Sequence, residues 1–276
     1  MAASDKNFSG DTAILYNILS EVHRHEKGPW IMFKSVLSLL QLPPGAIIVD
    51  LASGPGEPAM TLATEFPSLS IISTDVSVDM HKAAAKKAIL QPNLKAMIAD
   101  MQDLSAFDSN SVDCVTVCYG YMFPGDKALA LRETFRILKP GGTLLTTHWT
   151  NLNFFKIAME ILEGVLDVEP SKGPMPAINP LSLAEPGAFE ALASGAGFVI
   201  RDRIDGNYPF NIGSDPEMQY KLATIVIKGK LDELGAHDKA RDLCQQAFAR
   251  YGKLESGGDL SIHGNKFCMT IAVKPF

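Results

Sequence analysis

A glycine-rich turn between an apolar strand and a helix is the feature that most constrains this chain. Residues 46–51 form a short apolar run with β-branched side chains, which is typical of a buried strand. The run leads into a turn that contains Gly54 and Gly56, and residues 58–66 then read as a helix with proline in its first turn. Because glycine has no Cβ, such a turn can be tight and a ligand can approach its backbone closely. The segment predicts a nucleotide site, and with Ala59 it also fits the dinucleotide pattern G-x-G-x-x-A, so the type of nucleotide stays open at this point.

The alternation of strand and helix patterns continues as far as residue 149. Further apolar runs are separated by segments of helical length, and together they predict a parallel sheet with helices on both faces. The fold class that follows is α/β with a doubly wound sheet. The predicted strands lie at 70–75, 94–99, 112–118 and 143–148, and the predicted helices at 77–91 and 127–138.

The pattern differs on either side of this core. Residues 12–42 carry two apolar stripes at helical spacing, separated by Gly28-Pro29. The later segments are predicted helices at 151–166, 187–196 and 216–251 and predicted strands at 198–201 and 267–273. We therefore divide the chain into an N-terminal helical lid at 1–44, a ligand-binding core at 45–149, and cap insertions with the last strands at 150–276. Ligands of open α/β sheets bind at the carboxyl ends of the strands, so we expect the lid and the cap to cover that edge.

Composition excludes several classes of protein. The 276 residues contain 25 Lys and Arg against 31 Asp and Glu, a net charge of −6, which disfavours binding to nucleic acid or to an anionic membrane. The apolar stretches are too short to span a bilayer, and the start MAASDKNFSGD lacks the pattern of a signal peptide. The 4 cysteines form no CxxC pair, so we expect free thiols and no metal site. We predict a cytoplasmic protein that acts on a small molecule, and the sequence leaves its oligomeric state open.

Three aspartates each follow a predicted strand and help to distinguish possible ligands. Asp50 directly precedes the glycine turn, where a carboxylate is unfavourable beside a pyrophosphate but suits a ligand with an ammonium group. Asp75 can accept hydrogen bonds from both hydroxyls of a ribose, a position that NAD-binding proteins share. Asp100 is placed to accept from an adenine amino group while Met101 packs near the ring. The three positions favour a nucleoside ligand that carries a cationic amino acid group.

In this order the motifs resemble those of class I S-adenosylmethionine-dependent methyltransferases. The resemblance covers residues 42–149, and the glycine of the usual first position is replaced by Ala52. It rests on Asp50-x-Ala52-x-Gly54-x-Gly56, Asp75, Asp100-Met101 and the element Phe135-Arg136-Ile137-Leu138-Lys139-Pro140-Gly141-Gly142. The last element and the stretch Gly120-Tyr121-Met122-Phe123-Pro124 are similar to the branch that contains ubiquinone and menaquinone C-methyltransferases and many small-molecule enzymes.

The resemblance implies a Rossmann-like, mostly parallel seven-stranded sheet with helical cap insertions, and S-adenosylmethionine as the cofactor. It implies methyl transfer to a small molecule, such as a methylthio acid or a quinone-like ring, with carbon, sulfur, nitrogen and oxygen all open as the accepting atom. The alternatives are a non-catalytic regulatory protein that binds S-adenosylmethionine and an NAD-dependent oxidoreductase, and the absence of Tyr-x-x-x-Lys at the usual place weakens the second. The expected cofactor-binding residues are Asp50, Ala52, Gly54, Gly56, Asp75, Val76, Met80, Asp100, Met101, Cys118 and, in the lid, Tyr16.

Candidates for catalysis and acceptor binding follow the fourth and fifth predicted strands. Tyr119 and His148 are the catalytic candidates, because hydroxyl and carbon acceptors usually need a proton removed. A histidine at the end of a strand is equally compatible with a structural role. Tyr121, Trp149 and, in the cap, Tyr208 are the expected acceptor-binding residues, since aromatic side chains can line a pocket or hold a cation. Basic residues of the cap that could meet an anionic acceptor are Arg201, Arg203 and Lys221.

Overall fold

The computed structural model describes residues 11–276 except residues 171, 177 and 178, without the side chains of residues 11 and 12. Residues 1–10 lie outside the described residues. They include the start of the predicted lid and most of the stretch MAASDKNFSGD, which was analysed for a signal peptide. The described part of the lid contains helix α1 (Asp11–Ser20), a 3₁₀ helix (Glu21–Arg24) and helix α2 (Pro29–Leu39).

In the described part of the chain, ten strands form two sheets. In chain order they are β1 (Ile47–Asp50), β2 (Ser70–Asp75), β3 (Leu94–Ile98), β4 (Val112–Cys118), β5 (Leu138–Asn151), β6 (Val199–Asn207), β7 (Phe210–Asn211), β8 (Gly252–Leu254), β9 (Leu260–Ile262) and β10 (Lys266–Val273). The large sheet has seven strands in the order β3-β2-β1-β4-β5-β10-β6, and β10 runs antiparallel to both of its neighbours. The pairs among β1 to β5 are parallel. The prediction of a doubly wound, mostly parallel seven-stranded sheet is confirmed.

Helices cover both faces of this sheet. The chain steps from β1 outward to β3 on one side and from β4 to β5 on the other, and right-handed crossovers therefore place the connecting helices on opposite faces. In chain order the remaining helices are α3 (Ala59–Glu65), α4 (Val78–Ala88), α5 (Lys127–Ile137), α6 (Asn153–Leu166), α7 (Ala188–Gly195), α8 (Pro216–Ala223), α9 (Lys228–Leu234) and α10 (His237–Tyr251). Among the described residues, none of the helices has the combined length and apolar character that crossing a bilayer requires.

The core of the sheet explains why the central strands read as continuous apolar runs. Strands covered on both faces bury every side chain, so their sequences do not alternate between apolar and polar residues. Ile48 and Val49 of β1, Val115 of β4 and Leu144 and Leu145 of β5 are all inaccessible to solvent. The outermost strand β6 differs, because exposed charged residues occupy much of its length, and its apolar pattern was visible only at its first residues.

The cap is inserted between β6 and β10. It contains α8, α9 and α10, together with a small antiparallel sheet in which β9 lies between β7 and β8. The predicted single helical block at 216–251 is thus three helices, and Gly235, with φ of +59°, ends α9. The three small strands were not predicted, because two or three residues are too few to show a periodic pattern. Helix α10 packs against α6, which ties the cap to the end of β5.

Candidate functional site

The glycine-rich loop after β1 has a backbone that favours glycine. The φ angles of Gly54 and Gly56 are +56° and +94°, and that of Ala52 is +51°. A Cβ at position 56 would lie 3.0 Å from Cα of Ala84 in α4, so glycine also allows the loop to pack on this helix. The left-handed conformation of Ala52 gives a physical reason why a glycine is usual at this position of the motif.

Asp75 at the end of β2 holds this loop in place. Its Oδ2 accepts a hydrogen bond from the N–H of Gly54 (2.9 Å), and its Oδ1 accepts one from the N–H of Ser77 (2.8 Å). A carboxylate offers about four acceptor positions, so these two bonds are compatible with hydrogen bonds from a ribose as well. Asp75 therefore has a structural role that the sequence did not indicate, beside the predicted role in binding.

A pocket lies at the carboxyl ends of β1, β2 and β3, and we call it the nucleotide pocket. Asp75 and Asp100 provide carboxylates, and Met101 and Phe123 provide apolar surface beside them. This combination fits an adenosine group, which has hydroxyl and amino donors and a flat apolar ring. The lining residues are Ala52, Asp75, Val76, Ala99, Asp100, Met101, Gln102, Gly120, Phe123 and Pro124.

Asp100 and Gly120 shape the walls of the nucleotide pocket. Asp100 also caps the turn that follows it, since its Oδ1 accepts a hydrogen bond from the N–H of Gln102 (2.9 Å). A Cβ at Gly120 would lie 2.6 Å from Cγ1 of Val117 and 2.9 Å from Cβ of Ala52. Glycine is therefore required at position 120 for the loop after β4 to pack closely against the pocket.

The structure does not bring Asp50 into the nucleotide pocket. Its side chain is 0% exposed beneath the glycine loop, and its Oδ1 accepts a hydrogen bond from Oγ1 of Thr116 (2.6 Å). Burial raises the pKa of Asp50 to about 7, although the nearby hydroxyls of Ser53 and Thr116 lower it. Its Oδ2 is buried and makes no hydrogen bond with a described residue. A buried acceptor under the loop fits a cationic group near that loop, as the ammonium of S-adenosylmethionine would provide.

Other predicted cofactor residues lie outside the nucleotide pocket. Met80 is buried in α4 behind the helix cap of Ser77. Cys118 is partly buried near the Thr147 hydroxyl, with 3.9 Å between the sulfur and Oγ1. Tyr16 of α1 lies over the glycine loop, because a Cβ at Gly54 would meet its Cε1 at 3.7 Å. Tyr16 lines a second pocket.

The second pocket, which we call the aromatic pocket, adjoins the first. The side chain of Phe123 lines both pockets. The lid, the ends of β4 and β5, helix α6 and the cap all contribute to the walls, in which none of the described lining residues is Asp, Glu, Lys or Arg. The lining residues are Tyr16, Leu19, Ser20, His23, Tyr119, Phe123, Trp149, Leu152, Phe154, Phe155, Ala158, Pro180, Phe210, Ala223, Ile225 and Val226.

A hydrogen-bonded chain of His23, Tyr208 and Tyr119 borders the aromatic pocket. The Tyr208 hydroxyl lies 2.6 Å from Nδ1 of His23 and 3.1 Å from the Tyr119 hydroxyl. Tyr119 stacks on Trp149 with 3.9 Å between ring centroids and 4° between planes. Its own backbone is in the left-handed region, with φ of +56°, and its N–H donates to Oγ1 of Thr147. The aromatic rings and this chain fix one another in position.

Burial determines the protonation states of His23, Tyr119 and Tyr208. It lowers the pKa of His23 to about 3 and raises the pKa values of Tyr119 and Tyr208 well above the ordinary value of tyrosine. At neutral pH the imidazole is therefore uncharged and the two phenols are protonated. An uncharged imidazole can accept a proton or a hydrogen bond through one ring nitrogen while the other is protonated.

His23 is a candidate that the sequence analysis missed. It lies in a stretch with two histidines and glutamates nearby and has no motif around it. The only local signal is spacing, since Tyr16, Ser20 and His23 are separated by four and three residues and therefore lie on one helical face. That spacing shows a shared face but not what the face contacts.

The structure places His148 and Tyr121 away from the aromatic pocket, and the roles predicted for them stay predictions. Consecutive side chains of a strand point to opposite faces of the sheet, so Trp149 faces the aromatic pocket and His148 faces α7. His148 stacks on Phe189 at 5.5 Å between ring centroids. Tyr121 lies on the same side, 5.6 Å from Phe189, and its hydroxyl is 2.7 Å from Oγ1 of Thr134. Neither residue lines the aromatic pocket.

The basic residues of the cap that could meet an anionic acceptor also lie away from the aromatic pocket. Arg201 and Arg203 are exposed on the outermost strand β6, and Arg203 pairs with Glu190 at 2.9 Å. Lys221 is exposed on α8 and pairs with Glu217 at 3.5 Å. Because these side chains lie outside the aromatic pocket, its walls offer no cationic group to an acceptor.

The fold and the site resemble those of class I methyltransferases. The resemblance rests on the sheet order with an antiparallel strand between β5 and β6, the glycine loop after β1 and the carboxylates after the first three strands. Residues 48–142 match the family model described as a methyltransferase domain.

Known methyltransferases are similar to this chain in sequence or in fold. The demethylmenaquinone methyltransferase of Staphylococcus carnosus is 32% identical over 155 residues, which are 55% of this chain and 61% of that protein. The ubiquinone/menaquinone biosynthesis C-methyltransferase UbiE of Rickettsia felis is 34% identical over 118 residues, 40% of this chain and 47% of that protein. The chain thus spans about half the length of the curated relatives it matches. A SAM-dependent methyltransferase structure from Aquifex aeolicus is 13% identical and has a TM-score of 0.56, with 96% of this chain and 100% of that chain covered. The resemblance to quinone-methylating enzymes that the motifs indicated is confirmed.

Proposed function

We propose that this protein transfers a methyl group from S-adenosylmethionine to a small, largely apolar molecule. One observation carries the proposal: the nucleotide pocket and the aromatic pocket are adjacent and share the side chain of Phe123. A donor in the first pocket would thus direct its reactive end toward an acceptor in the second. The match to a methyltransferase domain and the relatives that methylate quinones support the same reaction class.

The residues of the nucleotide pocket would bind and orient the donor. Asp75 would accept hydrogen bonds from the ribose hydroxyls, Asp100 would accept one from the adenine amino group, and Met101 would pack on the ring. The unpaired Oδ2 of Asp50 would compensate the ammonium charge from beneath the loop. When bound, S-adenosylmethionine supplies a methyl group on a positively charged sulfur. Correct alignment and exclusion of water are then the main contributions of the protein.

The residues of the aromatic pocket would bind the acceptor. Apolar and aromatic walls without a charged group favour a flat, weakly polar ring over a phosphate or a carboxylate. His23 would accept the hydrogen bond of an acceptor hydroxyl, or take the proton that leaves an oxygen or carbon acceptor. Tyr208 and Tyr119 would hold the imidazole in one orientation. We therefore propose a phenol-like or quinol-like acceptor that is methylated on oxygen or carbon.

We also propose a cytoplasmic location. Cys114, Cys118, Cys244 and Cys268 are free thiols that are buried or partly buried, as is usual in a reducing compartment.

Calorimetry with S-adenosylhomocysteine and with NAD tests the donor. We expect micromolar binding of S-adenosylhomocysteine and no comparable binding of NAD. Asp75→Asn keeps one acceptor oxygen for the loop but removes the charge, and a hydrogen bond to a charged group contributes about 1.5–3 kcal/mol, so the affinity should fall about tenfold or more. Asp79→Asn is the matched control, because Asp79 lies nearby on α4 and pairs with Lys82. Saturable NAD binding without S-adenosylhomocysteine binding would exclude the proposal.

Methyl transfer itself is tested with isotopically labelled S-adenosylmethionine. Phenols and quinols should receive the label, whereas thiols, amines and phosphorylated amines should receive less. Donor binding without transfer to any of these acceptors would instead support the non-catalytic regulatory protein.

A further inference from the structure

Three side chains with metal-binding atoms meet on the face of the sheet opposite the aromatic pocket. His148 comes from β5, Cys268 from β10 and Glu190 from α7. His148 and Cys268 are directly paired across the two antiparallel strands, so their side chains lie on the same face. One ligand atom from each of the three residues lies within 4.8 Å of the other two.

Two of these side chains have buried polar atoms without partners. Nδ1 of His148 and Oε2 of Glu190 are inaccessible to solvent and form no hydrogen bond with a described residue. The whole His148 side chain is nearly buried, with 3% of the residue exposed. Buried polar atoms nearly always have a hydrogen-bonding or metal partner, so two unpaired ones beside each other require an explanation.

The surroundings identify the charges that face this cluster. Oε1 of Glu190 forms an ion pair with Nε of Arg203 (2.9 Å) and accepts a hydrogen bond from the Thr270 hydroxyl (3.4 Å), whereas Oε2 has no hydrogen-bond partner among the described residues. Asp205 of β6 is paired across the strands with Cys268. Burial lowers the pKa of His148 and raises the pKa of the Cys268 thiol, while Arg203 opposes that rise. Nδ1 of His148 makes no hydrogen bond with a described residue and is therefore available to a cation.

We propose that His148, Glu190 and Cys268 form a binding site for a divalent transition metal ion, with Zn²⁺ as the best match. Imidazole nitrogen, thiolate sulfur and carboxylate oxygen are the ligand types that Zn²⁺ prefers. One thiolate and one carboxylate balance the two positive charges of the ion. Ligand atoms around a tetrahedral Zn²⁺ are about 3.5 Å apart, so small side-chain rotations bring the observed cluster to this geometry.

The position of the cluster defines the role of the ion. A surface cavity of about 490 Å³, lined in part by His148, Arg203 and Asp205, adjoins the cluster, and the Asp205 carboxylate or a water molecule would supply a fourth ligand. Because the aromatic pocket lies on the other face of the sheet, the ion would not touch the acceptor. It would connect α7 to β5 and β10, and the site therefore stabilises this side of the fold.

Metal titration of the chelator-treated, tag-free protein tests the proposal. We expect about one Zn²⁺ per chain to remain after gel filtration, a higher Tm with Zn²⁺, and a thiolate-to-metal absorption band with Co²⁺. Cys268→Ser should abolish the Co²⁺ band, and Glu190→Gln should weaken metal binding at least tenfold. Cys244→Ser is the matched control, because Cys244 is a free thiol in α10 that is equally buried, with 2% exposed.

Three results would overturn the site. The first is a wild-type protein that retains no Zn²⁺ and shows no thiolate band with Co²⁺. The second is equal loss of the band in Cys268→Ser and Cys244→Ser. The third is unchanged Zn²⁺ affinity in Glu190→Gln, which also decides the question if Cys268→Ser does not fold.

Discussion

At the scale of single residues, His23 illustrates how burial determines chemistry. Free histidine changes its charge near neutral pH, but in the aromatic pocket the cost of desolvating a cation keeps the ring uncharged. Its Nδ1 forms a hydrogen bond with the Tyr208 hydroxyl. The imidazole is therefore fixed in orientation and ready to interact with an acceptor through its other nitrogen.

We expect His23→Gln to lower kcat by about 10²–10⁴-fold if the imidazole takes the proton, which is the usual contribution of a general base. The affinity for S-adenosylhomocysteine should stay within a few-fold, because His23 lines the aromatic pocket and not the nucleotide pocket. Steady-state kinetics and calorimetry measure the two effects. His263→Gln, at an exposed histidine of the cap, is the control and should retain full activity. A normal kcat in a folded His23→Gln protein would show that His23 contributes to packing and not to methyl transfer.

At the scale of elements, a small part of the predicted helical block at 216–251 reaches the aromatic pocket. Helix α10 packs against α6, whereas the residues of this block that line the pocket lie at the end of α8 and just after it, at Ala223, Ile225 and Val226. We therefore expect this short segment to contribute to acceptor specificity. The division of the chain into a lid, a ligand-binding core and a cap with separate functional roles remains a prediction.

We expect Ile225→Ala and Val226→Ala to raise the KM for the acceptor by about 10-fold or more, because removing methyl groups from an apolar pocket costs about 1–3 kcal/mol of discrimination. Donor affinity should be unchanged, since neither residue lines the nucleotide pocket. Leu234→Ala is the control, because Leu234 of α9 is 42% exposed and lies outside both pockets. Loss of donor binding in the folded variants, with acceptor discrimination intact, would refute this role of the cap.

At the scale of the whole molecule, two buried groups affect stability with opposite dependence on pH. Burial raises the pKa of Asp50 in the folded protein to about 7, above the ordinary value of 3.8, so the unfolded chain releases this proton first and stability falls as pH rises from about 4 to 7. Burial lowers the pKa of His23 in the folded protein to about 3, below the ordinary value of 6.5, so its contribution to stability is lost as pH falls from about 6.5 to 3. The two effects partly offset each other in the wild-type protein.

A comparison of Asp50→Asn with the wild type isolates the contribution of Asp50 to the pH dependence of stability, because His23 is the same in both proteins. The stability of the variant relative to the wild type should increase by up to about 4 kcal/mol between pH 4 and pH 7, since one pKa unit corresponds to about 1.4 kcal/mol. Denaturant unfolding at several pH values measures this difference. Parallel stability profiles for the two proteins would show that the Asp50 carboxyl has an ordinary pKa in the folded state.

The sequence by itself determined the order of the elements, the glycine turn and the donor motifs. These features are local, since hydrophobic periodicity and the conformational freedom of Gly54 and Gly56 depend on neighbouring residues only. Strands 70–75 and 112–118 were accordingly predicted with the bounds that the structure shows. Local patterns also sufficed to place Asp75 and Asp100 at the ends of neighbouring strands, which become one edge of the sheet.

Contacts between distant elements determine which side chains face the aromatic pocket, and local sequence patterns do not show them. His23 contacts Tyr208 across 185 residues of sequence, and Tyr119 contacts Tyr208 across 89. Alternation along β5 places His148 and Trp149 on opposite faces, but it does not tell which face the lid and the cap will cover. That choice depends on packing between elements that are distant in the chain, because a pocket forms only where they meet.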